Sequence, residues 1–459
     1  MPVDDEANRF SARASRYARL GANAGAFAAR VGASRLAGAG RRDDARAFTE
    51  ALGAMKGPMM KVAQLLATIP EALPANYAEE LMSLQSQAPP MGAAFVRRRM
   101  QAELGADWRA RFAEFDLTSA AAASLGQVHR AMSLSGERVA CKLQYPDMAS
   151  AVEADLTQLN LLFSLHRRMG ASLDTREIAR EIAARLREEL DYEREAKMAR
   201  LYANMLADRP HVRVPRVFPE LSTKRLLTLE WLDGAKLLEF EAASGEVRAR
   251  LATLLFEAWW RPFLRHGIIH GDPHLGNYSV VATGEGEAQR VEAVNLFDYG
   301  CVRIFPPRFV SGVVELYRAL QTGDQARIVH AYELWGFTKL ARATIEAMNI
   351  WARFICGPIL DDRVRTVADG VKPGDYGRRE IGAVMRALRA QADELTVPRE
   401  FVFMDRAAIG LGAAYLRLRA EMNFHRLFES AIEDFSVEGV ATRQAEALAA
   451  AGVAHAATD

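Results

Sequence analysis

Three oxygen-bearing side chains occur in an order that suits a nucleotide-bound divalent metal. Asp272 and Asn277 stand five positions apart in His270-Gly271-Asp272-Pro273-His274-Leu275-Gly276-Asn277. A second aspartate, Asp298, follows the largely apolar run Ala293-Val294-Asn295-Leu296-Phe297 and precedes Tyr299-Gly300. Magnesium favours carboxylate and amide oxygens. Phosphoryl transfer from ATP needs little covalent help; it needs held metal, a cation on the phosphates and a placed nucleophile. Asp298 and Asn277 are therefore read as metal ligands, and Asp272 as the residue near the attacking group. Taken singly, Asp272-Pro273 and Asp298-Tyr299-Gly300 are ordinary turn sequences. In this order and at this separation they point to one site.

The cation is expected on a strand. Val139-Ala140-Cys141-Lys142 matches, with one substitution, the V-A-I-K form of the protein-kinase strand whose lysine holds the α and β phosphates. A helix glutamate should hold Lys142. Candidates crowd Glu188-Glu189-Leu190-Asp191-Tyr192-Glu193-Arg194-Glu195, and spacing alone does not choose among them; such a charge run is commonly a solvated helix face. No G-x-G-x-x-G precedes the lysine strand. In its place stands Ala120-Ala121-Ala122-Ala123-Ser124-Leu125-Gly126-Gln127. Alanine has fewer backbone conformations than glycine, and four in a row favour helix when read alone. A loop of this kind would aim amides at phosphate less freely.

The elements that must position these residues follow a recognisable order. Residues 45 to 104 have helical composition, broken at Gly57-Pro58, Pro70, Pro74 and Pro89-Pro90. Leu125 to Arg130 and Arg138 to Leu143, joined by Ser135-Gly136-Glu137, form a hairpin pattern. A long charged helical pattern covers 147 to 205. Strand candidates follow at Arg213 to Val217 and Arg225 to Trp231, then a helix at 245 to 266, a strand at Val291 to Phe297, and helices beyond about 306. That is a small mixed lobe followed by a mostly helical one.

The bulk numbers set the frame. The 459 residues allow two lobes with extensions; half are hydrophobic and 25% charged, as in a folded protein. A net charge of +1 does not suit a general nucleic-acid binder. Cys141, Cys301 and Cys356 lack metal-type spacing, which suits a reducing compartment. The sequence reads as having neither leader peptide nor spanning segment. Residues 7 to 42 contain eight arginines and no acid, with Phe10, Tyr17, Leu20, Phe27 and Val31 interspersed. This is either a solvated, Ala- and Gly-rich extension or a basic amphipathic segment for an anionic membrane surface.

From about residue 50 to about 320 the chain resembles the ABC1/UbiB/COQ8 atypical kinases, the AarF group. The resemblance rests on the alanine-rich segment running into Ser124-Leu125-Gly126-Gln127-Val128-His129, on Lys142-Leu143-Gln144-Tyr145-Pro146, and on His270 to Asn277. It implies an α+β, protein-kinase-like two-lobe fold with an N-terminal helical extension and additional C-terminal helices. The expected division is 1–44, a basic N-terminal segment; 45–110, the helical extension; 111–233, the kinase-like smaller lobe with inserted helices; and 234–459, the helical lobe with the catalytic and metal-binding loops. Lys61-Val62-Ala63-Gln64 falls where the family has KxGQ, in an extension over the active site, and Glu189-Leu190-Asp191 matches its ExD motif, implied to contact that lysine. Lys61, Gln64, Glu189 and Asp191 are thus a regulatory set. Lys142's partner then falls on Glu195, and Asp191 and Glu195, four apart on a helix, would share a face. Lys142, Glu195 and Asp272 are the catalytic set. Ala121, Ala122, Ala123, Ser124 and Lys142, with Glu230 and Leu232, are assigned to the cofactor. The sequence departs from the family pattern at Ala63, for a glycine; Leu275, for a frequent proline; and Tyr299, for a frequent phenylalanine.

By resemblance, the cofactors are ATP or ADP with Mg2+, and the activity is kinase or ATPase on a small-molecule or isoprenoid/quinone-related lipid target, in support of ubiquinone biosynthesis. Other readings are a kinase for a different small molecule, or a nucleotide-gated lipid-binding protein with little phosphoryl transfer. The expected location is cytoplasmic, with peripheral contact to the inner face of an anionic membrane. A homodimer is a further expectation, and nucleic acid is not expected as a partner.

Overall fold

The structure, a computed structural model, describes residues 92–454 apart from 124, 147, 155, 158–159, 161–174, 338–339, 369–370, 372–379, 381 and 384–398. In chain order the elements begin with α1 (Ala93–Leu104), β1 (Phe112–Ala123), β2 (Gly126–Ser133), β3 (Arg138–Gln144), α2 (Thr175–Glu189) and α3 (Tyr192–Met205). Next come β4 (Val212–Arg213), β5 (Leu226–Glu230), β6 (Ala235–Lys236), α4 (Gly245–His266), β7 (Ile268–Ile269), β8 (Tyr278–Thr283), β9 (Arg290–Leu296) and β10 (Arg303–Ile304). The last are α5 (Pro307–Thr322), α6 (Gln325–Leu334), α7 (Arg342–Cys356), α8 (Arg399–Leu418), α9 (Phe424–Ile432) and α10 (Val437–Ala450). Among the described residues no helix is long and apolar enough to cross a membrane.

The chain divides into two compact units. The first holds the described residues up to Arg194 together with Val217–Trp231, and the second holds Glu195–Arg216 and Leu232 onward. The stretch Glu195–Arg216, read from sequence within the smaller lobe, therefore belongs with the second unit.

In the first unit β1, β2, β3 and β5 form an antiparallel sheet in that order. The β3 sequence alternates: Val139, Cys141 and Leu143 are buried, and Lys142 lies on the other face. The buried face packs with Val96 and Met100 of α1 and with Trp108, Phe112 and Phe218. The β2–β3 turn uses Gly136 at φ 78, with its N–H donating to Ser133 O at 3.0 Å.

In the second unit β4, β9, β8 and β6 form a four-stranded sheet, and β7 pairs with β10. The strand expected over Arg213 to Val217 is shorter, because Val212–Arg213 pairs in parallel with β9 while Val217 bridges instead to Leu229. Helix α4 has the bounds its sequence suggests. The Ser244 hydroxyl accepts from Val247 N–H at its start, and Gly267 at φ 65 closes it, donating to Phe263 O. Its inward face carries Leu251, Leu255, Trp259 and Phe263, all fully buried, which sets the chain direction into the loop that follows.

Candidate active site

The first unit presents the lysine. Lys142 pairs in register with Val128 on one side and Leu227 on the other. Its Nζ stands over the ring of Tyr192, 5.1 Å from the centroid, so the ring face holds the ammonium in place. Gln144, on the same strand, donates through Nε2 to Leu190 O at 2.7 Å. The lysine strand is thereby tied directly to Glu189-Leu190-Asp191.

That motif corrects one expectation. Asp191 and Glu195 do not lie on one continuous helix. α2 stops at Glu189 and α3 starts at Tyr192, and the Asp191 carboxylate caps α3 by accepting from Arg194 N–H at 2.9 Å. An uninterrupted helical composition hid a break that a capping aspartate makes. Glu195, in the second unit, is 3% exposed, so this member of the charge run is buried.

The alanine segment is corrected too. It is neither helix nor free loop: Ala121, Ala122 and Ala123 are the last residues of β1, opposite Val128, Gln127 and Gly126. Leu125 lies in a turn, and Ser124 lies outside the described residues. Gly126 is needed because a β-carbon there would collide with the Leu143 carbonyl oxygen. Behind the hairpin, His129 Nδ1 faces Asp116 O at 2.9 Å. A carbonyl only accepts, so Nδ1 carries the proton and Nε2 accepts from Gln127 at 2.8 Å. Lys61 and Gln64 also lie outside the described residues. Glu230 ends β5 opposite Val139, and Leu232 is the first residue of the chain's return to the second unit.

The second unit brings the acidic residues together. The amide nitrogen of Asn277 donates to Asp272 Oδ2 at 2.9 Å and to Asp272 O at 3.2 Å, so its oxygen, the atom a hard cation takes, is turned the other way. Phe297 N–H donates to Asn277 O at 2.9 Å, fixing the residue before Asp298 to the loop. His270, fully buried, donates from Nε2 to Phe297 O at 2.8 Å. Burial chiefly lowers its pKa, against Asp272 and Asp298, which raise it. Gly271, at φ 80, lies so close to Cys301 that a β-carbon would strike its carbonyl oxygen. The sequence pattern named His270 and Gly271 within the loop but carried no signal for these contacts.

Asp298 adopts φ 60, ψ 84, an uncommon conformation for a non-glycine residue, and its Oδ1 accepts from Gly300 N–H at 3.3 Å. Such positions cluster at functional sites. Tyr299 is fully buried, and its hydroxyl donates to Leu296 O at 2.7 Å. The tyrosine that stands in place of phenylalanine therefore has its polar atom satisfied. Asp298 and Asn277 offer the oxygen donors that magnesium prefers, and their chemistry fits that ion.

A four-stranded sheet carrying a fixed lysine, and a helical unit carrying Asp272, Asn277 and Asp298 in one tied loop pair, define a protein-kinase-like α+β fold. The chain belongs to the ABC1 atypical kinase-like family, whose domain model matches residues 83–332. It is 32% identical over 283 residues to the chloroplastic protein Activity of BC1 Complex Kinase 8 of Arabidopsis thaliana, covering 60% of this chain and 36% of that one. It is 30% identical over 264 residues to the mitochondrial atypical kinase COQ8 of Saccharomyces cerevisiae, covering 57% and 51%. Thus the chain aligns with only 36% and 51% of the lengths of these two curated relatives. Among solved structures it is similar to Rv3197 of Mycobacterium tuberculosis, determined as a complex with erythromycin, with a TM-score of 0.59 and 27% identity over 83% of this chain and 93% of that one.

Proposed function

We propose that this chain binds ATP with Mg2+ and acts as an atypical kinase or ATPase on a small-molecule or lipid-related target, in support of ubiquinone biosynthesis. The observation that carries the reading is the tied pair of loops, in which Asn277 grips Asp272 and the residue before Asp298 is bonded to Asn277. In this reading Asp298 and the Asn277 oxygen hold the ion, which neutralises charge on the phosphates when bound. Lys142 takes the α and β phosphates, with Ala121, Ala122, Ala123, Ser124, Glu230 and Leu232 serving the nucleotide. Asp272 stands near the attacking group, and Glu195 keeps its place in the catalytic set. Lys61, Gln64, Glu189 and Asp191 regulate access.

Asp298→Asn tests it. The wild-type chain should gain thermal stability from ATP only when magnesium is present, and the variant should gain none. Cells lacking the protein should recover ubiquinone with wild type and not with Asp298→Asn. An equal thermal shift in the variant refutes the metal assignment; normal ubiquinone in the deletion refutes the biosynthetic role.

A further inference from the structure

The C-terminal helices have no role in the reading above, yet one of them touches the catalytic loop. α8 passes that loop at Gly410, where a β-carbon would collide with Cγ of Pro273 and lie 2.6 Å from its Cβ. Pro273 directly follows Asp272. The atoms that would be struck belong to a ring closed onto the main chain, with φ fixed near about −65°. A flexible side-chain tip would swing aside; this ring moves only with the backbone of Asp272-Pro273.

α8 is itself held. Ala407, Leu411 and Ala414 are buried. Arg248 of α4 donates to the carbonyls of Leu418 and Arg419, each at 3.3 Å. The Tyr415 ring meets Phe424 edge-on, centroids 5.4 Å apart. On the other side of Asp272 in sequence, Gly271 lies against the Cys301 carbonyl. Both chain neighbours of Asp272 are thus seated by backbone approaches that only glycine permits, at Gly271 and at Gly410.

We infer that Gly410 is a positioning residue for Asp272: the bare backbone of α8 seats Pro273 and, with the Gly271–Cys301 contact, fixes where the Asp272 carboxylate stands. This deepens the proposed function and rests on it for turnover, though not for the contact itself. A displacement of this size near the reacting group lowers rate more than nucleotide affinity, because Lys142 and Asp298 stand on other segments and only Asn277 of the ATP and metal contacts shares the loop.

The test uses the full chain. In Gly410→Ala, kcat for ATP hydrolysis should fall by roughly tenfold or more, with the Mg·ATP dissociation constant changed by a smaller factor. Amide hydrogen exchange over 270–277 should accelerate. Pro273→Ala removes the atom that collides worst, so Gly410→Ala/Pro273→Ala should turn over faster than Gly410→Ala. If Gly410→Ala does not fold, Pro273→Gly alone, which creates no collision, should lower kcat and spare affinity. The inference is overturned by unchanged kcat and exchange in Gly410→Ala, by affinity falling as much as kcat, by a double variant no faster than the single one, or by unchanged kcat in Pro273→Gly. If the wild-type chain neither binds nor hydrolyses ATP, the proposed function fails, and the exchange measurement alone still decides whether α8 sets the loop.

Discussion

Lys142 shows how much one position can carry. Its strand alternation was legible because Val139, Cys141 and Leu143 make a period of two, which puts the lysine on the opposite face from the core. The ring beside it was not legible: Tyr192 is distant in sequence, and only the fold places its ring 5.1 Å from Nζ. Lys142→Ala should weaken ATP affinity by roughly tenfold or more, since hydrogen bonds to charged groups contribute about 1.5–3 kcal/mol. Titration with a fluorescent ATP analogue checks this, with Tyr192→Phe, which keeps the ring, as the control expected to bind nearly as wild type. Equal affinity in Lys142→Ala would remove its phosphate role. The loop pair of Asp272, Asn277 and Asp298 was legible as a spacing pattern, and the fold bonds Asn277 to Asp272 and to the residue before Asp298. The seats of Gly271 and Pro273 were not legible, because close backbone approach between distant segments leaves no local signature.

At the scale of elements, legibility followed the caps. α4 was readable because Ser244 and Gly267 punctuate it. The break between α2 and α3 was missed because Asp191 ends one helical composition and starts another without glycine or proline. The C-terminal end of α4 carries a further consequence. α10 closes over it: Gln444 donates to His266 O at 2.7 Å and Arg443 to Arg265 O at 2.9 Å. Burial, with Arg443, Arg265 and Arg261 nearby and Asp208 opposing, lowers the His266 pKa from 6.5 to about 4. The unfolded chain takes up a proton below about 6.5, whereas the folded chain does not until near 4. Stability from this site is therefore complete above the unfolded value and lost as pH falls toward the folded one. The loss by pH 4.5 should be on the order of 1–3 kcal/mol. Urea unfolding at pH 7 and pH 5 checks it: His266→Gln should lose less stability between the two than wild type, while carboxylate titration is common to both. Equal losses would show that this histidine does not report on the α4–α10 contact.

For the whole molecule, net charge is a misleading guide to partners. The eight arginines of residues 7–42 more than account for the net charge of +1, so the rest of the chain is net negative. Neither long-range attraction to nor general repulsion from an anionic surface follows from the total; the distribution decides. Basic residues near an anionic surface contribute about 1 kcal/mol each, and the contribution fades within a Debye length. We propose on this ground that the N-terminal segment carries the membrane contact. The full chain should co-float with phosphatidylserine-containing vesicles at low salt, less so at about 0.5 M salt, and hardly at all with phosphatidylcholine vesicles. A chain lacking residues 1–42 should stay behind even with phosphatidylserine, because the charge left on it has the sign of the lipid. The Mg·ATP thermal shift in the same truncated chain separates loss of attraction from loss of fold. Undiminished flotation of a truncated chain that still responds to Mg·ATP would assign the segment to solvent, and any lipid contact to another face.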